Sequence, residues 1–273
     1  MNNITHILKD NIRIYVSEMT ELSQKIMDVH HTKPLASLSM STAMATYGAF
    51  FALKKGLQTS IFINGNGSLK TIIFEYDGKH GVRALVGDPS VVTEYDDTKF
   101  NDIPLTLGIG DGGHLKIVHK GDKLNYGGNV EIANGDITTD LAYYLDQSEQ
   151  IYSAVISSVL LKKKNMLQQA KAVVFQMLPG HSEKDVLWVE NFIKENSLSK
   201  MNTKSYIKKI DGTIIESTTL QWKTTCSKEK MFHAAKTMSA NDIKELISEK
   251  GFVEVKCRFC HKQFRFTNKD FNI

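Results

Sequence analysis

Cys257-Arg258-Phe259-Cys260 is the stretch of this 273-residue chain best suited to hold a metal ion. Val253-Glu254-Val255 precedes it and Phe264-Arg265-Phe266 follows it, and both alternate as half-buried strands do. A two-residue gap inside a tight hairpin brings both sulfurs to one side, where they can grip a metal as a knuckle. Zinc prefers four ligands in a tetrahedron, with thiolates at about 2.3 Å. Cys226, with 30 residues between it and Cys257, supplies a third ligand. His261, His233 and solvent are the candidates for the fourth position. A thiol oxidoreductase could use the same pair. That chemistry wants a cysteine at a helix N-terminus, where the thiol pKa falls, and a hairpin does not provide one.

These three cysteines are the only ones in the chain, and all lie in its last 48 residues. An odd, clustered set excludes a disulfide-held scaffold and points to metal or redox chemistry in a reducing compartment, here the cytoplasm. The first residues lack a basic region followed by an apolar one, so no secretory signal is expected. The longest near-apolar run, Ala43 to Leu53, is too short for a bilayer, which needs about 20 residues. Residues 201–273 carry 14 Lys/Arg against 8 Asp/Glu, a net +6, while residues 1–200 carry 20 against 22, a net −2. A basic, phenylalanine-bearing tail offers one alternative, a zinc-knuckle nucleic-acid-binding protein. Solvated lysines around an aromatic core explain the same composition. The glycine loops at 64–67 and 110–113 match neither the Walker nor the dinucleotide spacing. No nucleophile-elbow or His-Glu-x-x-His motif is present, and the chain is not expected to be an enzyme.

The length suits about two domains, on a prior of roughly 100–200 residues each. Ile12, Ile14 and Val16 predict a strand, and Met19, Leu22, Ile26 and Val29 a helix over about 18–31. A second, well-buried helix is expected from Pro34 to Lys55. Period-two strands follow at 58–63, 69–76 and 81–87, broken by Asn-Gly and Asp-Gly turns. An irregular loop is expected at 91–103, then strands at 104–109, 114–118 and 127–133. A helix over 136–147 and strands at 151–161 and 170–177 complete the body, the last two joined by a charged turn at Lys162–Asn165. Ser182 and Asp185 form a capping box that opens a helix to about Asn196, and a second helix is read at 199–209. In the tail, helices are expected around 228–238 and from Ser239 to Gly251. The fold class is therefore α+β: a sandwich-like body with a largely antiparallel sheet (1–180), a helical linker (181–222) and a small cysteine domain (223–273).

Several stretches together resemble the heat-shock protein 33 family of redox-regulated holdase chaperones. They are Tyr126-Gly127-Gly128-Asn129-Val130, Ile137, Asp140-Leu141-Ala142-Tyr143-Tyr144, and Ser148-Glu149-Gln150 with Ser153. Ala172 to Gln176 with Leu178-Pro179, Gly65-Asn66-Gly67, and Gly81-Val82-Arg83 with Pro89 are similar as well. That family carries Cys-x-Cys, a gap of some thirty residues, and Cys-x-x-Cys. This chain departs from the pattern with Thr224-Thr225-Cys226.

The resemblance implies an ATP-independent chaperone. Its reduced cysteines would bind one Zn2+ per chain and keep the holdase off. Oxidation would eject the metal, unfold tail and linker, and expose apolar surface, and an active homodimer would then hold unfolding client proteins. Val186, Trp188, Val189, Phe192 and Ile193 on the linker's apolar face form the candidate client surface, or else a plain packing face. Membranes and nucleic acids are not expected partners. The metal ligands implied are Cys226, Cys257 and Cys260. With Thr224 in a thiol's place, oxidation can close one intramolecular disulfide, for which Cys257–Cys260 is the expected pair. Alternatively, redox control is weak and heat activates the chaperone.

Overall fold

The structure is a computed structural model that describes residues 2–54, 56–95, 99–122 and 125–271. Lys55, the expected end of the second helix, and residues 96–98 of the expected loop lie outside the described residues. The chain divides into two compact units, Met1–Trp222 and Lys223–Ile273. Among the described residues no helix is long and apolar enough to cross a membrane.

The first unit runs β1 (Asn3–Lys9), β2 (Ile12–Glu18), α1 (Thr20–His30), α2 (Pro34–Leu53), β3 (Gln58–Gly65), β4 (Thr71–Tyr76) and β5 (Gly81–Val86). It continues with α3 (Thr106–Ile109), β6 (Gly113–Lys120), β7 (Asn125–Glu131), α4 (Ile137–Glu149), β8 (Ser153–Lys162) and β9 (Met166–Met177). It closes with α5 (Glu183–Glu195), α6 (Thr203–Ile210), β10 (Thr213–Thr219) and β11 (Gln221–Trp222). One sheet has the order β10-β1-β2-β9-β8 and the other β11-β5-β4-β3-β6-β7. Every pairing is antiparallel except the short one between β11 and β5.

The main core joins both sheets to α1, α2 and α4. In α2 the run Leu35–Phe51 is buried without a break, in keeping with a helix apolar or small on every side. Pro34 opens it at a position where the missing N–H costs nothing. Asp136 caps α4 by accepting from Thr138 N and Thr139 N at 3.1 and 2.9 Å. His119 of β6 is fully buried, its Nδ1 3.0 Å from Thr59 Oγ1. Burial, and then the Lys54 charge, push its pKa down to about 4.

Two expectations are corrected. Residues 104–109 form no strand, for Thr106–Ile109 is a short helix. The alternation of Leu105, Leu107 and Ile109 is misleading, because the carbonyls of 107–109 accept from Ser68 N, Leu69 N and Gly67 N of the neighbouring loop. The linker is helical only as far as Ile210. The β-branched run from Thr213 then pairs antiparallel with β1 and forms the edge of the first sheet.

The outer face of that sheet carries a second core. Ile7, Ile12, Ile14, Val16, Val173, Phe175 and Met177 meet Val189, Phe192, Leu198, Tyr206 and Ile210 there. The apolar set that predicted β2 therefore faces α5 and α6, while Tyr15 faces the main core.

The second unit holds α7 (Lys228–Ala235), α8 (Ala240–Lys250), β12 (Val253–Lys256), β13 (Gln263–Phe266) and α9 (Asn268–Phe271). Among the described residues its buried apolar centre is Ala235, Ile243, Val253 and Phe266, with partly buried neighbours around it. So small a core is marginal without a staple such as a metal or a disulfide.

Candidate metal centre

The hairpin of the second unit builds the knuckle. β12 and β13 pair from Val253↔Phe266 to Lys256↔Gln263, which leaves residues 257–262 as the turn. Cys257 N donates to Lys262 O and His261 N to Cys257 O, both at 2.9 Å. The turn closes with His261 at φ 58°, in the left-handed region. Cys226 arrives on the segment just ahead of α7, whose cap is Ser227, accepting from Lys230 N at 3.2 Å.

The sulfurs of Cys226, Cys257 and Cys260 all lie within 4.8 Å of one another. Cys226 Sγ and Cys260 Sγ share a hydrogen bond at 3.3 Å. A tetrahedral zinc with bonds of about 2.3 Å would hold its sulfurs about 3.8 Å apart, so the cluster fits three corners. Among the described residues no histidine or carboxylate joins it, and neither His261 nor His233 takes the fourth corner. Thr224 Oγ1 lies 3.9 Å from Cys226 Sγ, within the reach of a sulfur hydrogen bond.

Burial, and then the hydrogen bond with Cys260, push the Cys226 thiol up to about 11. Burial opposes ionisation at Cys260 too, but hydrogen bonds from Lys262 N–H and from the Cys226 and Cys257 thiols outweigh it and lower its pKa. Of that pair, Cys260 is therefore the sulfur that gives up its proton more readily, and metal binding to such thiols releases protons.

Phe232, Phe264, Phe266 and Phe271 of the tail pack in its core and form no stacking platform. Phe232 and Phe266 lie 5.2 Å apart, as do Phe232 and Phe271. Lys228, Lys236, Lys262 and Arg265 cover the rings of Phe266, Phe232, Phe264 and Phe252. Basic side chains engaged in cation–π contacts weaken the nucleic-acid alternative.

The five linker residues expected as a client surface are covered here. Val189 and Phe192 are buried, and Val186, Trp188 and Ile193 are half-buried. Trp188 stacks on Phe192 at 4.9 Å, and Phe192 meets Phe175 and Tyr206 edge-on at 6.2 and 5.3 Å. Sequence reasoning missed the polar fastenings at one end of this interface. Lys171, 7% exposed, donates from Nζ to Met201 O and Gln169 Oε1, each at 2.9 Å. Gln169 Nε2 donates to Ser199 O at 3.4 Å, and Thr203 Oγ1 to Glu18 Oε2 at 2.7 Å. The available signal was a lysine inside the otherwise apolar run Ala170–Phe175.

A family model described as "Hsp33 protein" matches residues 4–267. The chain is 31% identical over 282 aligned positions to a 33 kDa chaperonin of Clostridium perfringens, covering 98% of this chain and 89% of the relative. It is 28% identical to a 33 kDa chaperonin of Staphylococcus aureus, covering 96% and 93%. The crystal structure of a 33 kDa chaperonin from Thermotoga maritima superposes with a TM-score of 0.86 over 99% of this chain and 96% of that one. At 23% identity, that likeness establishes the shared mixed α+β fold with antiparallel sheets.

Proposed function

The chain belongs to the Hsp33 family, a family of chaperonins and not of enzymes, and from that premise we propose that it is an ATP-independent holdase. It captures unfolding proteins under heat or oxidative stress and prevents their aggregation. The observation that carries this reading is the apolar interface between α5–α6 and the outer face of the first sheet. An interface of this kind, once opened, offers contiguous apolar surface on both sides, which suits non-specific capture of clients. Val186, Trp188, Val189, Phe192 and Ile193 supply one side of it, and the active form is a homodimer.

In the resting form Cys226, Cys257 and Cys260 would hold one Zn2+ as thiolates. When bound, the ion supplies folding free energy that the tail's small core lacks. With three thiolates and Thr224 in place of a fourth, the site would be weaker than one of four thiolates and would open more readily on heating. Such a thiol site suits the cytoplasm, where cysteines stay reduced.

The test is light scattering from a thermally unfolding client mixed with the full-length chain, without ATP. Suppression of aggregation at temperatures that melt the tail supports the reading. Unchanged aggregation at a molar excess of the chain refutes it.

A further inference from the structure

We propose that the three-thiol cluster of the tail is a site for Cu(I), a soft monovalent cation whose shell three sulfurs complete, and that Thr224 sets its preference for this ion over zinc. The site stands on the number and placement of its donors. It uses the same sulfurs as the zinc site proposed above but needs nothing from the holdase reading.

The donor set is what selects the ion. The sulfurs of Cys226, Cys257 and Cys260 lie within 4.8 Å of one another, with Cys226 and Cys260 at 3.3 Å. Three sulfurs at about 2.3 Å from one ion stand about 4.0 Å apart in a plane, and about 3.8 Å apart at three corners of a tetrahedron. The cluster reaches either shape by small shifts, so the separations do not choose between the two ions. The fourth donor does. Zinc in a structural site takes four ligands, whereas Cu(I) is satisfied by three thiolates and prefers sulfur to nitrogen and oxygen. Among the described residues no histidine or carboxylate joins the three sulfurs. Thr224 Oγ1, 3.9 Å from Cys226 Sγ, belongs to a neutral hydroxyl, a hard and weak donor. Zinc is therefore one protein ligand short here, and Cu(I) is not.

Charge points the same way. Three thiolates around Zn2+ leave one net negative charge, and around Cu(I) they leave two, so the copper form needs more positive charge nearby. The segments that deliver the thiols, 223–228 and 256–262, contain Lys223, Lys228, Lys256, Arg258 and Lys262 and no acidic residue. Lys228 is met by Asp270 at 3.3 Å. The remaining cations still give the segments a positive field, which favours the more negative complex. Cys257 is buried while Cys226 and Cys260 are half-buried, so the site is sheltered yet open to exchange with solvent.

Thr224 is then a selectivity residue. A fourth thiol at that position would complete zinc's tetrahedron but would add little to a Cu(I) shell that three sulfurs already fill. With threonine there, Cu(I) displaces zinc from the tail. No electron is transferred in this exchange, for the copper arrives and stays monovalent.

The experiment uses the full-length chain, reduced, metal-free and kept from oxygen. Cu(I) is supplied as its acetonitrile complex against a chromophoric Cu(I) chelator, and zinc is titrated in parallel against a chromophoric zinc chelator. The expected result is one Cu(I) per chain, with X-ray absorption showing three sulfurs and no nitrogen or oxygen around it. One equivalent of Cu(I) should release the zinc from a zinc-loaded chain. Thr224→Cys should tighten zinc binding by on the order of 10–100-fold and Cu(I) binding by about threefold or less. A copper shell with two sulfurs, or with any nitrogen or oxygen, overturns the site. Zinc retained against one equivalent of Cu(I) overturns the preference, and so does a Thr224→Cys gain for Cu(I) as large as the gain for zinc. The copper spectrum of the native chain needs no variant, so the site stays open to refutation even if Thr224→Cys folds poorly. Copper bound by three sulfurs in a chain that takes up no zinc would support the site and remove the zinc reading instead.

Discussion

Substituting Phe192 by alanine removes the ring at the centre of the interface that covers the first sheet. Phe192 is 6% exposed and touches Phe175, Trp188 and Tyr206. Truncating a buried phenylalanine costs about 3–5 kcal/mol. The loss falls on the docked state, because the ring is solvated once α5 lifts away. At about 1.4 kcal/mol per tenfold, docking weakens by roughly two to three and a half powers of ten. Hydrogen exchange over residues 183–210 measures that shift directly, with β3 and β6 of the other sheet as an internal reference. The holdase reading predicts that F192A suppresses client aggregation at temperatures where the native chain does not. Because Phe192 could itself contact clients, Lys171→Met provides an independent opening: it deletes the donor to Met201 O and leaves the aromatic face intact. Faster linker exchange in both variants without any gain in client protection would refute the idea that the covered face is the client surface.

Three further outcomes follow from the same geometry. Thr224→Cys should tighten zinc binding by on the order of 10–100-fold, read by competition with a chromophoric chelator, and should raise the temperature at which the tail becomes protease-sensitive. His119 is held neutral with its pKa near 4, against 6.5 for an ordinary histidine. Between those values the unfolded chain takes up a proton that the folded chain refuses, so stability falls as pH falls through that window, by about 3 kcal/mol from this group. Urea midpoints for the native chain and His119→Gln should converge toward the acid end, and parallel curves would contradict the assignment. Replacing Asp136 by alanine removes the cap of α4 and should cost about 1–2 kcal/mol, measured as a lowered urea midpoint without a change of slope.

The elements with a single buried face were legible in the sequence. The alternation in β3 and β4 and the helical spacing in α1 report one covered side each, and both produced the expected element. β1 was not read, because its Ile4 faces the main core and its Ile7 faces the linker, so neither period dominates. The strand β10 was hidden by the helices ahead of it, since only pairing with β1 fixes its state. The cysteine cluster was legible from spacing alone, because few uses other than a metal explain three cysteines gathered in a short tail. The absence of a histidine from it was not, since a side chain's reach across a turn depends on dihedrals such as that of His261. The fastening of Lys171 to Met201 O also lay beyond the sequence, as it joins residues 30 apart through a backbone carbonyl.

Light scattering from one thermally unfolding client, with the reduced full-length chain either zinc-loaded or chelated, tests the central claim most directly. The account predicts weak protection by the zinc-loaded chain below the melting temperature of its tail. It predicts strong protection by the chelated chain at that same temperature. Equal protection by the two forms would contradict control of the holdase by the three-thiol tail.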